Sequence, residues 1–295
     1  MRNVEHTWVA LGERRLCTKI TGSGPSVVLD CGGTGEGIGG WGEHLEAGIG
    51  EFATAVAYDR AGIGRSDGPR ARTVGEMAED LHRMVRAAEL ELPAVFVGWS
   101  HGALVVQLYA ARYPQDVAGL LFIDPTPAKP SPAPTAVVRA LQQLSATPLH
   151  LLAAGAATGM FRSRLGRAIA RRFAGAQATE EGLRQALEFV NSPAKIRQLA
   201  GTITRLDQQI TEVHEAFADP EVRLPDVPTT VLTAGSRPAR MPEKYRAHLD
   251  ASHQWLADLS PQGRVVIAEQ ATHQLPLEHP KTVIAELREL LHRAA

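Results

Sequence analysis

The chain has 295 residues, 44% of them hydrophobic and 21% charged, with a formal net charge of -1. That length and balance suit a soluble globular fold with a full core, and the near-neutral charge gives no electrostatic case for nucleic acid as a partner. Two cysteines, Cys17 and Cys31, are too few for a disulfide framework.

Met1 to His6 lacks the basic start and long apolar core of a signal peptide, so a cytoplasmic location is expected. Val4–Leu11 and Arg14–Ile20 read as two strands about a Gly12-Glu13 turn. Short β-branched runs follow at Ser26–Cys31 and Thr54–Asp59, each breaking into glycine, and Trp41–Glu51 between them is predicted helical. Thr73–Leu90 carries Met77, Leu81, Met84, Val85 and Ala88 at helical spacing. A strand at Val95, a helix after Ser100 ending at Pro114, and a strand at Gly119–Asp124 continue the alternation, which predicts a largely parallel sheet covered on both faces.

The alternation lapses after Pro125. Lys129 to Pro134 reads as a stiff proline linker, and the pattern is helical from there to about Phe217. Leu149–Phe161 is the most apolar stretch of this region and too short to span a bilayer, which takes about 20 residues, so no stable membrane insertion is expected. Phe161, Leu165, Ile169 and Phe173 recur every fourth residue among Arg162, Arg164, Arg167, Arg171 and Arg172, which predicts one basic amphipathic helix with a solvated outer face. Strands at Thr229–Ala234 and Arg264–Ala268 and helices at Pro242–Leu259 and Pro280–Leu291 resume the first pattern. The expected organisation is an α/β core of residues 1–127 and 226–295 interrupted by a helical unit at 128–225.

Chemistry concentrates at Gly98-x-Ser100-x-Gly102, framed by an apolar strand before and a helix after. That order describes a nucleophile elbow, a sharp turn where glycine allows strand and helix backbones to approach and the serine lies at a helix N-terminus. A serine hydroxyl needs a base, and His273 follows the last strand. His101 adjoins the serine too closely to act as its base, but its N–H is one candidate donor to an oxyanion. No tight metal-ligand spacing and no complete dinucleotide fingerprint is present, so no metal or cofactor is expected.

Asp30-Cys31-Gly32-Gly33, Asp59-Arg60-x-Gly62-x-Gly64-x-Ser66 and the serine motif together resemble the α/β-hydrolase superfamily, and Tyr58-Asp59-Arg60-Ala61-Gly62 and Leu121-Phe122-Ile123-Asp124-Pro125 look most like its branch of capped esterases, lactonases and related hydrolases. The resemblance implies an α/β-hydrolase fold, a helical lid inserted after the sixth strand, His273 as catalytic base and Gly33 as second oxyanion donor. It also treats Asp59 and Arg60 as turn architecture. The triad acid departs from the commonest arrangement, because the loop after the seventh strand, Gly235 to Arg240, carries no carboxylate before Glu243. Asp124, after the sixth strand, is the preferred candidate; its other role would be to order the Pro125 turn. Glu243 stays open. Cys31, where the family commonly has histidine, is expected to be a small buried side chain. Leu149, Leu151, Leu152, Met160 and Phe161 are expected to roof the pocket.

The function expected is cofactor-free hydrolysis of a small-molecule carboxylic ester or lactone through an acyl-enzyme on Ser100, His273 and Asp124. An acyltransferase or cyclase would use the same groups, and a non-catalytic binding protein would need neither serine nor histidine.

Overall fold

Strand pairing carries the chain in a single eight-stranded sheet of order β1-β2-β4-β3-β5-β6-β7-β8. The strands are β1 His6–Leu11, β2 Arg14–Gly22, β3 Ser26–Asp30, β4 Thr54–Tyr58, β5 Ala94–Trp99, β6 Val117–Ile123, β7 Thr229–Ala234 and β8 Gly263–Ala268. Only the pairs β1–β2 and β2–β4 are antiparallel. The structure is a computed structural model and describes residues 6–34, 36–129, 135–174, 179–238 and 241–294. Nearly all of the proline linker, residues 130–134, lies outside the described residues.

The continuous apolar runs of β3, β5 and β6 follow from their place at the centre of the sheet, where both faces are covered. On one face pack α2 (Val74–Ala87) and α3 (Gly102–Arg112), burying Leu81, Met84, Leu104 and Tyr109 against Phe96 and Phe122. α1 (Glu43–Gly50) and the final helix, labelled α10 below (Pro280–Ala294), cover the other, where Leu45, Ile49, Leu287 and Leu290 meet Val27, Leu29, Val97 and Leu121. α1 begins later than the predicted Trp41. The chain turns at Gly42, whose φ of 82° favours glycine, while Trp41 is buried in the core.

Between β6 and β7 lie α4 (Thr135–Ala157), α5 (Arg164–Ala174), α6 (Glu180–Val190) and α7 (Pro193–Ala216), with a small cluster of their own around Ala153, Phe161, Phe189 and Ile196. The predicted continuous helix from Phe161 to Phe173 is corrected here. Met160–Arg162 is a separate 3-10 turn, and Ser163 is extended (φ -96°, ψ -175°) before α5 starts. The turn folds onto α5 so closely that a Cβ on Gly166 would collide with the Phe161 carbonyl. Phe161 therefore belongs to the interior of the inserted helices rather than to α5's face. The chain closes through α8 (Glu243–Asp258), α9 (Leu275–Glu278) and α10. Among the described residues no helix is long and apolar enough to cross a membrane.

Candidate active site

Six parallel strands end on one edge of the sheet, and among their loops those after β3, β5, β6, β7 and β8 meet there. Ligands favour this edge in open α/β sheets. Ser100 sits at the end of β5 with φ 53°, a left-handed conformation that non-glycine residues rarely adopt. Both flanking glycines are sterically required. A Cβ at Gly98 would lie 2.7 Å from Ala103 Cα, and one at Gly102 would collide with the Asp30 carbonyl. The elbow is tied to the next strand, since Ser100 N donates to Ile123 O at 3.0 Å and Thr126 N to Ser100 O at 3.0 Å.

That tie brings Asp124, at φ 36°, beside the serine loop. Ser100 Oγ donates to His273 Nε2 at 3.0 Å, and His273 Nδ1 donates to Asp124 Oδ2 at 2.6 Å. Glu243 is exposed in the first turn of α8 and has no such contact. Trp99 Nε1 holds the His273 carbonyl at 3.0 Å, and Glu278 accepts from the N–H and hydroxyl of Thr272, at 3.0 and 2.8 Å. These contacts fix the loop carrying the imidazole, whose side chain is 50% exposed and so reachable by water.

Asp124 is buried and would be pushed up by desolvation. Its hydrogen bond and charge contact with His273, followed by the Arg237 and His253 charges, more than offset this and hold it at about 2. Arg237 is the residue that sequence reasoning missed. It stands in the carboxylate-free loop after β7 and donates from Nη1 to Asp124 Oδ1 and Oδ2 at 2.9 and 3.2 Å. The signal was present as an arginine in the loop where an acid is commonest. Asp124 Oδ1 also accepts the Ala234 N–H at 3.0 Å, so the carboxylate is fully hydrogen-bonded.

Gly33 and His101 face each other across the elbow, a Cβ on Gly33 being 3.5 Å from His101 Cβ. Among the described residues neither backbone N–H has a hydrogen-bond acceptor. His101's ring is buried and fully engaged. Its Nε2 donates to Gln209 Oε1 at 2.9 Å, and Nδ1 accepts from Arg60 Nη1 at 3.3 Å. Gln209 Nε2 donates to Arg72 O at 3.1 Å, which orients the amide and thereby the imidazole tautomer. Burial and then the Arg60 charge lower His101 to about 3, keeping it neutral.

Asp59 fits turn architecture, accepting from Ile38 N at 2.9 Å and Arg65 N at 2.8 Å. Arg60 reaches further than a turn residue needs, pairing with Asp30, which also takes the Tyr58 hydroxyl at 2.5 Å. Cys31 is 3% exposed, and burial pushes its thiol well up, so it is a packing residue. The expected apolar roof is corrected. Phe161 is interior, Leu151 and Met160 are exposed, and the walls near the site come from Phe173, Leu199 and Leu206. Among the described residues no three potential metal ligands cluster.

A family model described as the alpha/beta hydrolase family matches residues 31–287. The chain belongs to that family. It is 34% identical over 104 residues to the uncharacterized protein YqjL of Bacillus subtilis, a match covering 35% of the chain and 40% of that relative. With the pimeloyl-[acyl-carrier protein] methyl ester esterase of Chromobacterium violaceum it shares 28% identity over 95% of the chain and 99% of the relative. Its fold is similar to a laboratory-evolved variant of potato epoxide hydrolase, with TM-score 0.77 and 16% identity over 98% of the chain and 99% of that structure.

Proposed function

We propose that the protein is a serine hydrolase of small-molecule carboxylic esters, lactones included, working through an acyl-enzyme. The observation that carries this reading is the hydrogen-bonded series from Ser100 Oγ through His273 to Asp124 at a strained elbow. His273 Nε2 takes the serine proton as Oγ attacks the carbonyl carbon, and Asp124 holds the Nδ1–H tautomer and offsets the imidazolium charge. The free N–H groups of Gly33 and His101 receive the carbonyl oxygen as it becomes negative. His273 then protonates the leaving alcohol, and water repeats the sequence on the acyl-enzyme.

The nucleophile type separates this from epoxide opening. A serine that opened an epoxide would be left as an ether, with no carbonyl for water to attack, so turnover would stop. An acyl-serine is an ester and can be hydrolysed. A relative named as a methyl ester esterase supports the same reading. The helices from α4 to α7 serve as a cover over the site, with Thr202 on α7 donating to Gly33 O at 3.1 Å. Free, buried Cys17 and Cys31 suit a reducing cytoplasm.

Labelling with a fluorophosphonate tests the proposal. The wild-type protein should take up one probe at Ser100 and release a stoichiometric burst of alcohol from an activated ester. Turnover of esters that survives Ser100→Ala would overturn it.

A further inference from the structure

Acidic residues are distributed unevenly along the chain. No aspartate or glutamate occurs from Pro125 to Thr179, where seven lysines and arginines stand, so all 32 acidic residues lie elsewhere. Five of the seven, Arg162, Arg164, Arg167, Arg171 and Arg172, lie in α5 or the turn before it, and each is exposed. Among the described residues none of the five joins an ion pair. Arg164, Arg167 and Arg171 follow at intervals of three and four, a spacing that sets like charges side by side and repels. A local rule broken without a compensating contact in the fold marks a surface that meets something else.

Gly166, Ala170 and Ala174 are the buried side of α5, and Leu165, Ile169 and Phe173 run along one flank at intervals of four. Little covers that strip. Leu165 is 50% and Phe173 43% exposed, and Met160, just before the helix, is 48% exposed. Phe173 also stands in the wall of the cavity that contains Asp124 and His273. The basic helix, its uncovered apolar strip and the candidate active site are thus continuous through one side chain.

We propose that α5 docks the protein reversibly on an anionic lipid surface. In free solution the face is solvated. On the bilayer its guanidinium groups meet headgroup phosphates, while Met160, Leu165 and Phe173 enter the boundary between headgroups and acyl chains. A lipid surface accounts for three features at once, since it carries negative charge, takes up apolar side chains, and can hold an ester beside the cavity that Phe173 borders. An acidic protein would account for the arginines but not for an apolar strip that leads into the cavity. With 11 residues α5 is too short to span the bilayer, so docking is interfacial and weakens with salt. Each arginine near such a surface contributes roughly fivefold in partitioning. The substrates implied are esters carried in that surface, a step that rests on the acyl-enzyme reading; docking itself does not.

Co-sedimentation of the full chain with lipid vesicles tests docking. Wild type should partition onto vesicles of phosphatidylcholine and phosphatidylglycerol in equal parts roughly twentyfold or more above phosphatidylcholine alone, and concentrated salt should release it. Arg167→Glu with Arg171→Glu should lower that partition roughly twentyfold or more, and Leu165→Ser should lower it several-fold. Reversing two exposed arginines elsewhere, Arg83 and Arg223, should change it less than about threefold. Without vesicles, each of these variants should match wild type in kcat/KM on a water-soluble acetate ester. Equal partition of wild type onto both kinds of vesicle, or equal losses from the two arginine pairs, would overturn the proposal. So would a Leu165→Ser variant that docks like wild type, because the contact would then be one of charge alone, as an acidic protein makes. Sedimentation needs no turnover, so Ser100→Ala should dock unchanged, and the two readings fail separately. Docking in a wild type that shows no alcohol burst sinks the acyl-enzyme, whereas a normal burst with no docking sinks the lipid surface alone.

Discussion

Asp124 concentrates the site's electrostatics, because one buried carboxylate faces both an imidazole and a guanidinium. Asp124→Asn keeps the shape and removes the charge that offsets the imidazolium, so kcat should fall by about 10⁴. Glu243→Gln, at an exposed helix start, should leave kcat within a factor of two; steady-state kinetics on both variants would reverse the assignment if the order were opposite. Arg237→Met leaves Asp124 buried with one cation fewer and should cost about 3–5 kcal/mol of stability at pH 7. Since Asp124 is held at about 2 in the folded state, against about 3.9 for a free aspartate, its contribution is complete above pH 4 and is lost as pH falls toward 2. Urea midpoints of wild type and Arg237→Met should therefore draw closer as pH falls from 5 toward 2, and a constant gap would assign the cost to packing instead.

Among the helices and strands, some features follow from local pattern and others are decided by tertiary contact. β5, the elbow and α3 were legible because glycine spacing, an apolar run and a helical pattern all demand the same backbone. Phe161 to Phe173 was misread because a four-residue recurrence of apolar side chains satisfies helical spacing even where Ser163 breaks the helix, and no proline or glycine marks the break itself. Arg237 and Gln209 were not legible as site residues, since each acts across more than a hundred residues of sequence. α7 is anchored to the core partly through Gln209, which bridges His101 and the Arg72 carbonyl. Gln209→Ala should leave buried His101 without its acceptor and lower stability by about 1–3 kcal/mol in chemical denaturation. On α5, Arg167 and Arg171 are exposed and in no ion pair among the described residues. Reversing both to glutamate should keep stability within about 0.5 kcal/mol and leave hydrolysis of a small neutral ester unchanged; a sharp drop would mean the face is not simply solvated.

The whole chain is organised about a sheet that separates two large apolar layers, so damage on one side should not be felt on the other. Leu81→Ala beneath α2 and Leu45→Ala beneath α1 each empty a fully buried site and should cost about 2–5 kcal/mol. Their double variant should lose the sum to within about 0.5 kcal/mol in equilibrium unfolding, and a marked departure would reveal coupling through the strands. The relay itself has the opposite character, for its partners are 149 and 173 positions apart along the chain. During synthesis the serine elbow emerges first and the imidazole long afterwards, at about 5–20 residues per second. On the proposed mechanism, the nascent chain would carry through that interval a serine with no base to activate it. Turnover by that mechanism would therefore begin only once the chain through His273, just beyond β8, is in place, so its onset would report the assembly of that end of the sheet.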